Sequence, residues 1–206
     1  MFNTIGLHPT EPLIEYDNIA PIMGNLWSPI AAVTSRWQDR ANAQICVAIG
    51  AASIVPEKPR VIVQIYKTNH SHEMILGSGA FALNFPRTDQ LQWIMDFGLI
   101  SGRDRDKLAG VESEGGESGS PLILDCWGYL DCRVINAMDG GDMTCFLADV
   151  MDGATRTRNE PLWWRDARSR MPQEWLKQWE LKQTGEVSHS RGNMAPIDYS
   201  PWKPAS

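Results

Sequence analysis

The segment Ser101-Gly-Arg-Asp-Arg-Asp-Lys107-Leu-Ala-Gly110 places a hydroxyl, a glycine turn and three basic side chains within ten residues. A phosphate monoester is held by such groups: backbone N–H from a Gly turn, a short hydroxyl donor and a flexible ammonium. Ser101, Arg103 and Lys107 are therefore candidate phosphate ligands, while Arg105 reads as a surface charge. Lys107 is the cation whose replacement by Ala is expected to weaken ligand retention with the fold intact. A second segment of similar chemistry is Lys67-Thr-Asn-His-Ser71, from which Lys67, Asn69, His70 and Ser71 are taken. Two Gly-containing segments flank the basic loop, Ser78-Gly-Ala-Phe-Ala-Leu-Asn84 upstream and Asp139-Gly-Gly-Asp142 downstream.

Composition bounds the rest. A chain of 206 residues, 43% hydrophobic and 21% charged, fits one soluble domain with decorated ends. A net charge of −6 argues against nucleic acid or an anionic membrane as partner, since both want a basic field. No apolar run reaches the roughly 18 residues of a membrane span. The N-terminus lacks a basic region followed by an apolar run, so no signal peptide is expected and a cytoplasmic location is. Cys46, Cys126, Cys132 and Cys145 form no C-x-x-C pair and read as buried thiols. His70 and His72 stand two apart, with no further cluster to complete a metal site. No catalytic triad or carboxylate pair is visible, and no metal is expected.

These groups need a scaffold. Residues 1–27 are Pro-rich and read as an arm. Strands are expected at Ile30–Ser35, in the apolar run Asn42–Ala52, which reads as a buried strand leading into a loop, and at Arg60–Tyr66, which is rich in β-branched residues. A short helix is expected at His70–Leu76, stopped by Gly77, and a strand at Ala80–Phe85. Asp89 is a plausible N-cap for a helix over Gln90–Phe97. Cys126–Asn136 alternates, with Leu130, Cys132 and Val134 on one face and Asp131 and Arg133 on the other. A tight turn at Asp139–Asp142 returns the chain as Thr144–Val150. Pro172–Lys182 reads as a helix with Trp175 and Trp179 on one face, and from Thr184 onward a polar tail is expected. The class is mainly β with peripheral helices, about six antiparallel strands closing into a small barrel.

In this order the motifs resemble the flavin reductase-like family, whose fold is the FMN-binding split barrel, a Greek-key barrel. The resemblance rests on Ser28–Ser35, Arg40–Ala43, Ser53–Pro56 with Pro59-Arg-Val61, Lys67–His72, Ser78–Asn84, Ser101–Gly110, Gly119–Leu122 and Gly141–Thr144, and covers about residues 28–152. It implies a split-barrel domain over 28–152, and a Trp-rich helix and tail over 153–206 packed on the barrel or on a partner subunit. It also implies a homodimer with FMN near the subunit interface. A flavin needs a slot of backbone N–H donors along its ring edge. The small residues around Asn42, Ala43, Gln44, Ile45, Cys46 and Gly50 suit one, and Asn84 joins the set.

Two positions depart from the resemblance. Many relatives carry Thr and Ser where this chain has Ile45, Val47 and Ala48, so backbone contacts must do more here. Relatives also often have His where Met143 stands, near the nicotinamide. The first function expected is an FMN-dependent oxidoreductase with NAD(P)H as co-substrate, passing hydride to flavin N5 and electrons onward. The alternative is a flavoredoxin-like electron carrier reduced by a protein partner, and a third is a split-barrel module without flavin. No G-x-G-x-x-G is present, so Rossmann-type dinucleotide binding is not expected.

Overall fold

The computed structural model describes residues 16–23, 26, 29–194 and 197–203, so most of the expected N-terminal arm lies outside the described residues. Within that arm stands helix α1, Tyr16–Met23. The body then runs β1 (Ala31–Trp37), β2 (Arg40–Cys46), β3 (Ile49–Ala51), β4 (Arg60–Tyr66), α2 (His70–Ser78), β5 (Ala80–Phe85) and a π-helix (Ile94–Leu99). It continues with β6 (Ser113–Gly115), β7 (Pro121–Ile123), β8 (Gly128–Asp139), β9 (Met143–Thr155), α3 (Trp164–Arg170) and α4 (Gln173–Asn193).

Seven strands form one antiparallel sheet in the order β2-β1-β5-β8-β9-β4-β3, and β6 and β7 pair separately. β2 and β3 lie at opposite edges of that sheet, yet only Val47 and Ala48 separate them in sequence. Three peptide steps reach about 10 Å at most, so the two edges must approach and the sheet must curl. The Gln64 N–H donates to the Ala48 carbonyl at 3.0 Å, continuing the β3–β4 ladder, and across the seam the Cys46 thiol of β2 reaches the Gln64 carbonyl of β4 at 3.6 Å. The result is a barrel split along one line, as the resemblance implies. Its inside is filled by Val33, Val63, Ile65, Phe81, Leu83 and Phe146 among others. β4 shows why: Val61, Val63 and Ile65 alternate inward while it pairs with β9 along its whole length.

Several local expectations are corrected. The run Asn42–Ala52 does not end in a loop: after β2 it breaks at Val47–Ala48 to cross the seam and resumes as a second strand, β3. α2 continues past Gly77 to Ser78, and Gly79 ends it in the left-handed conformation (φ 66°), its N–H reaching the Ile75 carbonyl at 2.8 Å. Gly77 serves packing instead: a Cβ there would stand 2.3 Å from the Trp37 ring. Asp89 caps no helix. It pairs with the Arg87 guanidinium at 3.0 Å, and the Gln90 side chain accepts the Arg87 N–H. Asp131 lies on the face of β8 opposite Leu130, Cys132 and Val134, yet it is fully buried, because the β6–β7 hairpin closes over it. Its carboxylate accepts the Ser118 N–H at 2.9 Å and the Ser118 hydroxyl, which anchors the β6–β7 hairpin. α4 does not stop near Lys182 but runs through Gly185 to Asn193.

Candidate functional site

The seam of the barrel opens into a two-lobed cleft. β2 has a hydrogen-bonded neighbour, β1, on one side only, so every second residue turns its backbone N–H and C=O away from the sheet. The Ala43 carbonyl is one of these, since it accepts the Lys107 ammonium at 2.9 Å. By the two-residue repeat the Ile45 backbone faces outward as well, and Ile45 lines both lobes. The first lobe encloses about 400 Å³, with Ile45, Val47, Ala48, Tyr66, Met143 and Trp179 among its walls and mostly apolar surface. The second, about 350 Å³, is walled by Asn42, Thr68, Asn69, Ser101, Gly102 and Arg103 among others. Gln44, Ile45, Asn69, Gly98, Lys182 and Glu186 belong to both. Each lobe falls in the range of small-ligand sites, about 300–1,000 Å³.

Two buried polar atoms at the second lobe have no partner among the described residues: Asn42 Oδ1 and Thr68 Oγ1. A buried polar group without a partner costs about 1–3 kcal/mol, which is the signature of a site shaped for a polar ligand. Asn42 is fixed by its other end, where Nδ2 donates to the Ser71 hydroxyl at 2.8 Å. Gly102 lies directly against it, so that a Cβ there would stand 2.0 Å from Asn42 Oδ1. In the basic loop the Arg103 N–H donates to the Ser101 hydroxyl at 3.2 Å.

The sequence-derived residues divide clearly. Asn42, Gln44, Ile45, Asn69, His70, Ser101, Arg103 and Lys107 line the second lobe, and Cys46 lines the first. Ala43 and Ser71 stand behind the wall, as acceptors for Lys107 and Asn42. Lys67 turns away from both lobes to Asp139, at 2.7 Å, in the β8–β9 turn. Gly50 pairs with Ile62 within the β3–β4 ladder, outside the cleft. Asn84 is fully buried elsewhere: Nδ2 donates to Thr34 Oγ1 at 2.9 Å, and Oδ1 accepts the Ile123 N–H at 2.7 Å. It is a brace between β1, β5 and β7.

Lys107 needs the largest correction. It is 7% exposed, and Nζ donates to the carbonyls of Ala43 and, at 2.8 Å, Phe97. Phe97 lies in the last turn of the π-helix, whose carbonyls lack helical partners and attract a cation. Burial, and then the nearby Lys182 charge, lower the Lys107 pKa to about 8. The residue ties the cleft floor to the π-helix, so its replacement by Ala is not expected to leave the fold intact. Arg103 is also engaged, with Glu73 and, at 3.0 Å, the Thr68 carbonyl. That guanidinium holds the Glu73 carboxyl below its ordinary value.

The cysteine that lines the cleft is a poor nucleophile. Burial pushes the Cys46 thiol up to about 12. His72 donates to or accepts from Thr144 Oγ1 at 2.8 Å, and burial lowers its pKa. Among the described residues, no group of three His, Cys, Asp or Glu side chains could hold a metal ion. No described helix is long and apolar enough to cross a membrane.

Sequence reading missed the far wall. Trp164 of α3 and Trp179, Lys182, Glu186 and His189 of α4 face the cleft across from β2. Trp164 and Trp179 pack at 4.8 Å between ring centroids, and Trp179 passes over Gly98. The Lys182–Glu186 spacing of four was the available signal.

Comparison with known proteins agrees with this architecture. Over 132 residues the chain is 31% identical to a high molecular weight rubredoxin of Moorella thermoacetica, covering 63% of this chain and 57% of that one. It is 31% identical over 121 residues to the flavin-dependent monooxygenase reductase subunit HsaB of Mycobacterium tuberculosis, covering 59% and 62%. The matches thus span about three fifths of those relatives' own length. The fold is shared with the NADH:FAD oxidoreductase SgcE6 of Streptomyces globisporus, in complex with NAD and FAD fragments: TM-score 0.66, 22% identity, 80% of this chain and 99% of that one. The family model described as flavin reductase like domain matches residues 23–172, which hold the split sheet, the seam and the basic loop. The chain therefore belongs to the flavin reductase-like domain family.

Proposed function

We propose that this protein is a flavin-dependent oxidoreductase that holds FMN along the seam and takes hydride from NAD(P)H. The observation that carries the reading is the pairing of an outward-facing β2 backbone with a lobe containing the unpartnered Asn42 Oδ1 and Thr68 Oγ1. The residues fit the group. Ile45 offers backbone donors to a ring edge, while Val47, Ala48 and Tyr66 supply apolar surface for a planar ring. Ser101, Thr68 and Asn69 offer hydroxyl and amide groups to a phosphorylated side chain. Bound FMN supplies hydride acceptance and onward electron transfer, chemistry that belongs to the cofactor. The chain's own task is to orient the ring, keep water from it and bind the phosphate. The name of the HsaB relative, a monooxygenase reductase subunit, supports the same reading.

The test is direct. Purified protein mixed with FMN is expected to perturb the visible flavin bands and to melt at higher temperature, and anaerobic NADH or NADPH is expected to bleach the bound flavin within seconds. Absence of any band shift or stabilisation refutes flavin binding. Binding without bleaching favours the electron carrier reduced by a protein partner, a reading supported by Trp179 and Met194 standing over the first lobe. Four free cysteines suit the reducing cytoplasm.

A homodimer is part of the proposal. Apart from both lobes, an apolar groove of about 860 Å³ runs beside Ile54, whose side chain is fully exposed, and Val55. A knob beside a hole on one surface is what a two-fold self-pairing uses. Sedimentation is expected to give a dimer, and Ile54→Asp a monomer. A monomeric parent protein refutes the pairing.

A further inference from the structure

α4 begins at Gln173, one residue beyond the stretch that the family model matches. Its inward stripe is Trp175, Leu176, Trp179, Lys182, Glu186 and Ser190, at helical spacing. The stripe changes character halfway. Trp175, Leu176 and Trp179 pack against an apolar cluster with Leu162, Ala167 and Met171. Lys182 and Glu186 then face the cleft, where both lobes meet. Past the cleft the helix end is held again, with Met194 against Gly141 in the β8–β9 turn. A charged stripe on the inner side of a helix has no packing reason to be there, and Gly185 adds to the point. It lies within the helix and lines the second lobe, and a Cβ on it would meet nothing within 4 Å.

The cations that read as phosphate ligands are already engaged. Lys107 is spent on two carbonyls, Arg103 on Glu73 and Thr68, and Lys67 on Asp139 outside the cleft. Lys182 pairs only with Glu186 among the described residues, one turn along its own helix. A part-exposed i,i+4 pair of this kind is weak, so a doubly charged phosphate displaces it readily. The Lys182 charge is felt at the lobe floor, where it helps to lower the Lys107 pKa.

We propose that Lys182 is the phosphate-pairing residue of the cleft and that Glu186 is its gatekeeper. In the empty cleft Glu186 holds Lys182, and a phosphorylated flavin takes Lys182 from it. The proposal rests on the flavin reading above and adds a residue that the family's own segment does not contain. It makes the phosphate the group by which α4 tells FMN from riboflavin.

Fluorescence titration of the full-length protein with FMN and with riboflavin tests it. Lys182→Gln is expected to weaken FMN binding by about 10- to 100-fold, the worth of a charge-assisted hydrogen bond, with riboflavin affinity unchanged. Glu186→Gln is expected to tighten FMN several-fold and leave riboflavin alone, an opposite sign that a merely structural pair would not produce. Lys182→Arg is expected to retain the FMN preference. If FMN and riboflavin weaken together in Lys182→Gln, or neither changes, the assignment fails while the flavin reading stands. If the parent protein binds neither flavin, both fall.

Discussion

Lys107→Ala is expected to unfold more easily than the parent by about 2 kcal/mol at pH 7, and the gap is expected to widen above pH 8. Truncation leaves the Ala43 and Phe97 carbonyls buried without their donor, at about 1–3 kcal/mol each, and empties the space of the side-chain stem. Against this stands the relief of no longer burying a charge. The pH dependence separates the two effects. The folded-state pKa is about 8, against about 10.4 for an unfolded lysine. Between those values the unfolded chain binds more protons, so stability rises with pH, and below about 8 the cost of the buried charge is fully present. The rise is on the order of 3 kcal/mol for this one group, and the variant lacks it. Urea unfolding of both proteins at pH 7 and pH 10 measures the difference. A gap that stays constant between the two would show that Lys107 is not the buried strut described.

Gly102→Ala is expected to lower FMN affinity by about 10- to 100-fold, the equivalent of an overpacking strain of about 1–3 kcal/mol. The added methyl would fall 2.0 Å from Asn42 Oδ1 and 2.6 Å from Asn42 Cγ. Either the amide leaves its bond to Ser71 or the basic loop lifts from β2, and both deform the second lobe. Adding Asn42→Ala to the variant is expected to restore thermal stability but not affinity, because the amide that faces the lobe is then gone. Full recovery of affinity in the double variant would mean that Asn42 takes no part in binding.

The split barrel could be read from residue types because its strands are locally explicit. Arg60–Tyr66 alternates β-branched residues inward, and Asp139–Asp142 supplies the turn that joins β8 to β9. What alternation could not show was the β6–β7 hairpin that closes over Asp131, since a strand's own pattern does not reveal which distant segment covers its outer face. Similar reasons divide the site. Ser101, Asn69 and Asn42 reach the cleft from segments whose composition already suggested a ligand. Lys67, Asn84 and Lys107 have the same chemistry, yet their donors serve Asp139, Thr34 and the carbonyls of Ala43 and Phe97. Sequence tells what a side chain can bond, and only the fold tells which partner arrives first. The α4 wall escaped notice because Gly185 and the polar run around it resemble a tail, whereas anchorage at both ends keeps the helix continuous.

The two sides of the cleft belong to different tiers of stability. Its floor, β2, is laddered to β1 along its whole length, so it opens only with that seven-residue ladder. Its wall beyond Trp179 rests on a polar stripe with a glycine at its middle, and a helical glycine weakens its neighbourhood by roughly 0.5–1 kcal/mol. A molecule held there would leave through the wall, at a rate set by the loosening of half a helix. Residence time and grip are thus governed by separate residues, and a descendant sequence can alter how long the cleft stays occupied without touching the strands that shape it.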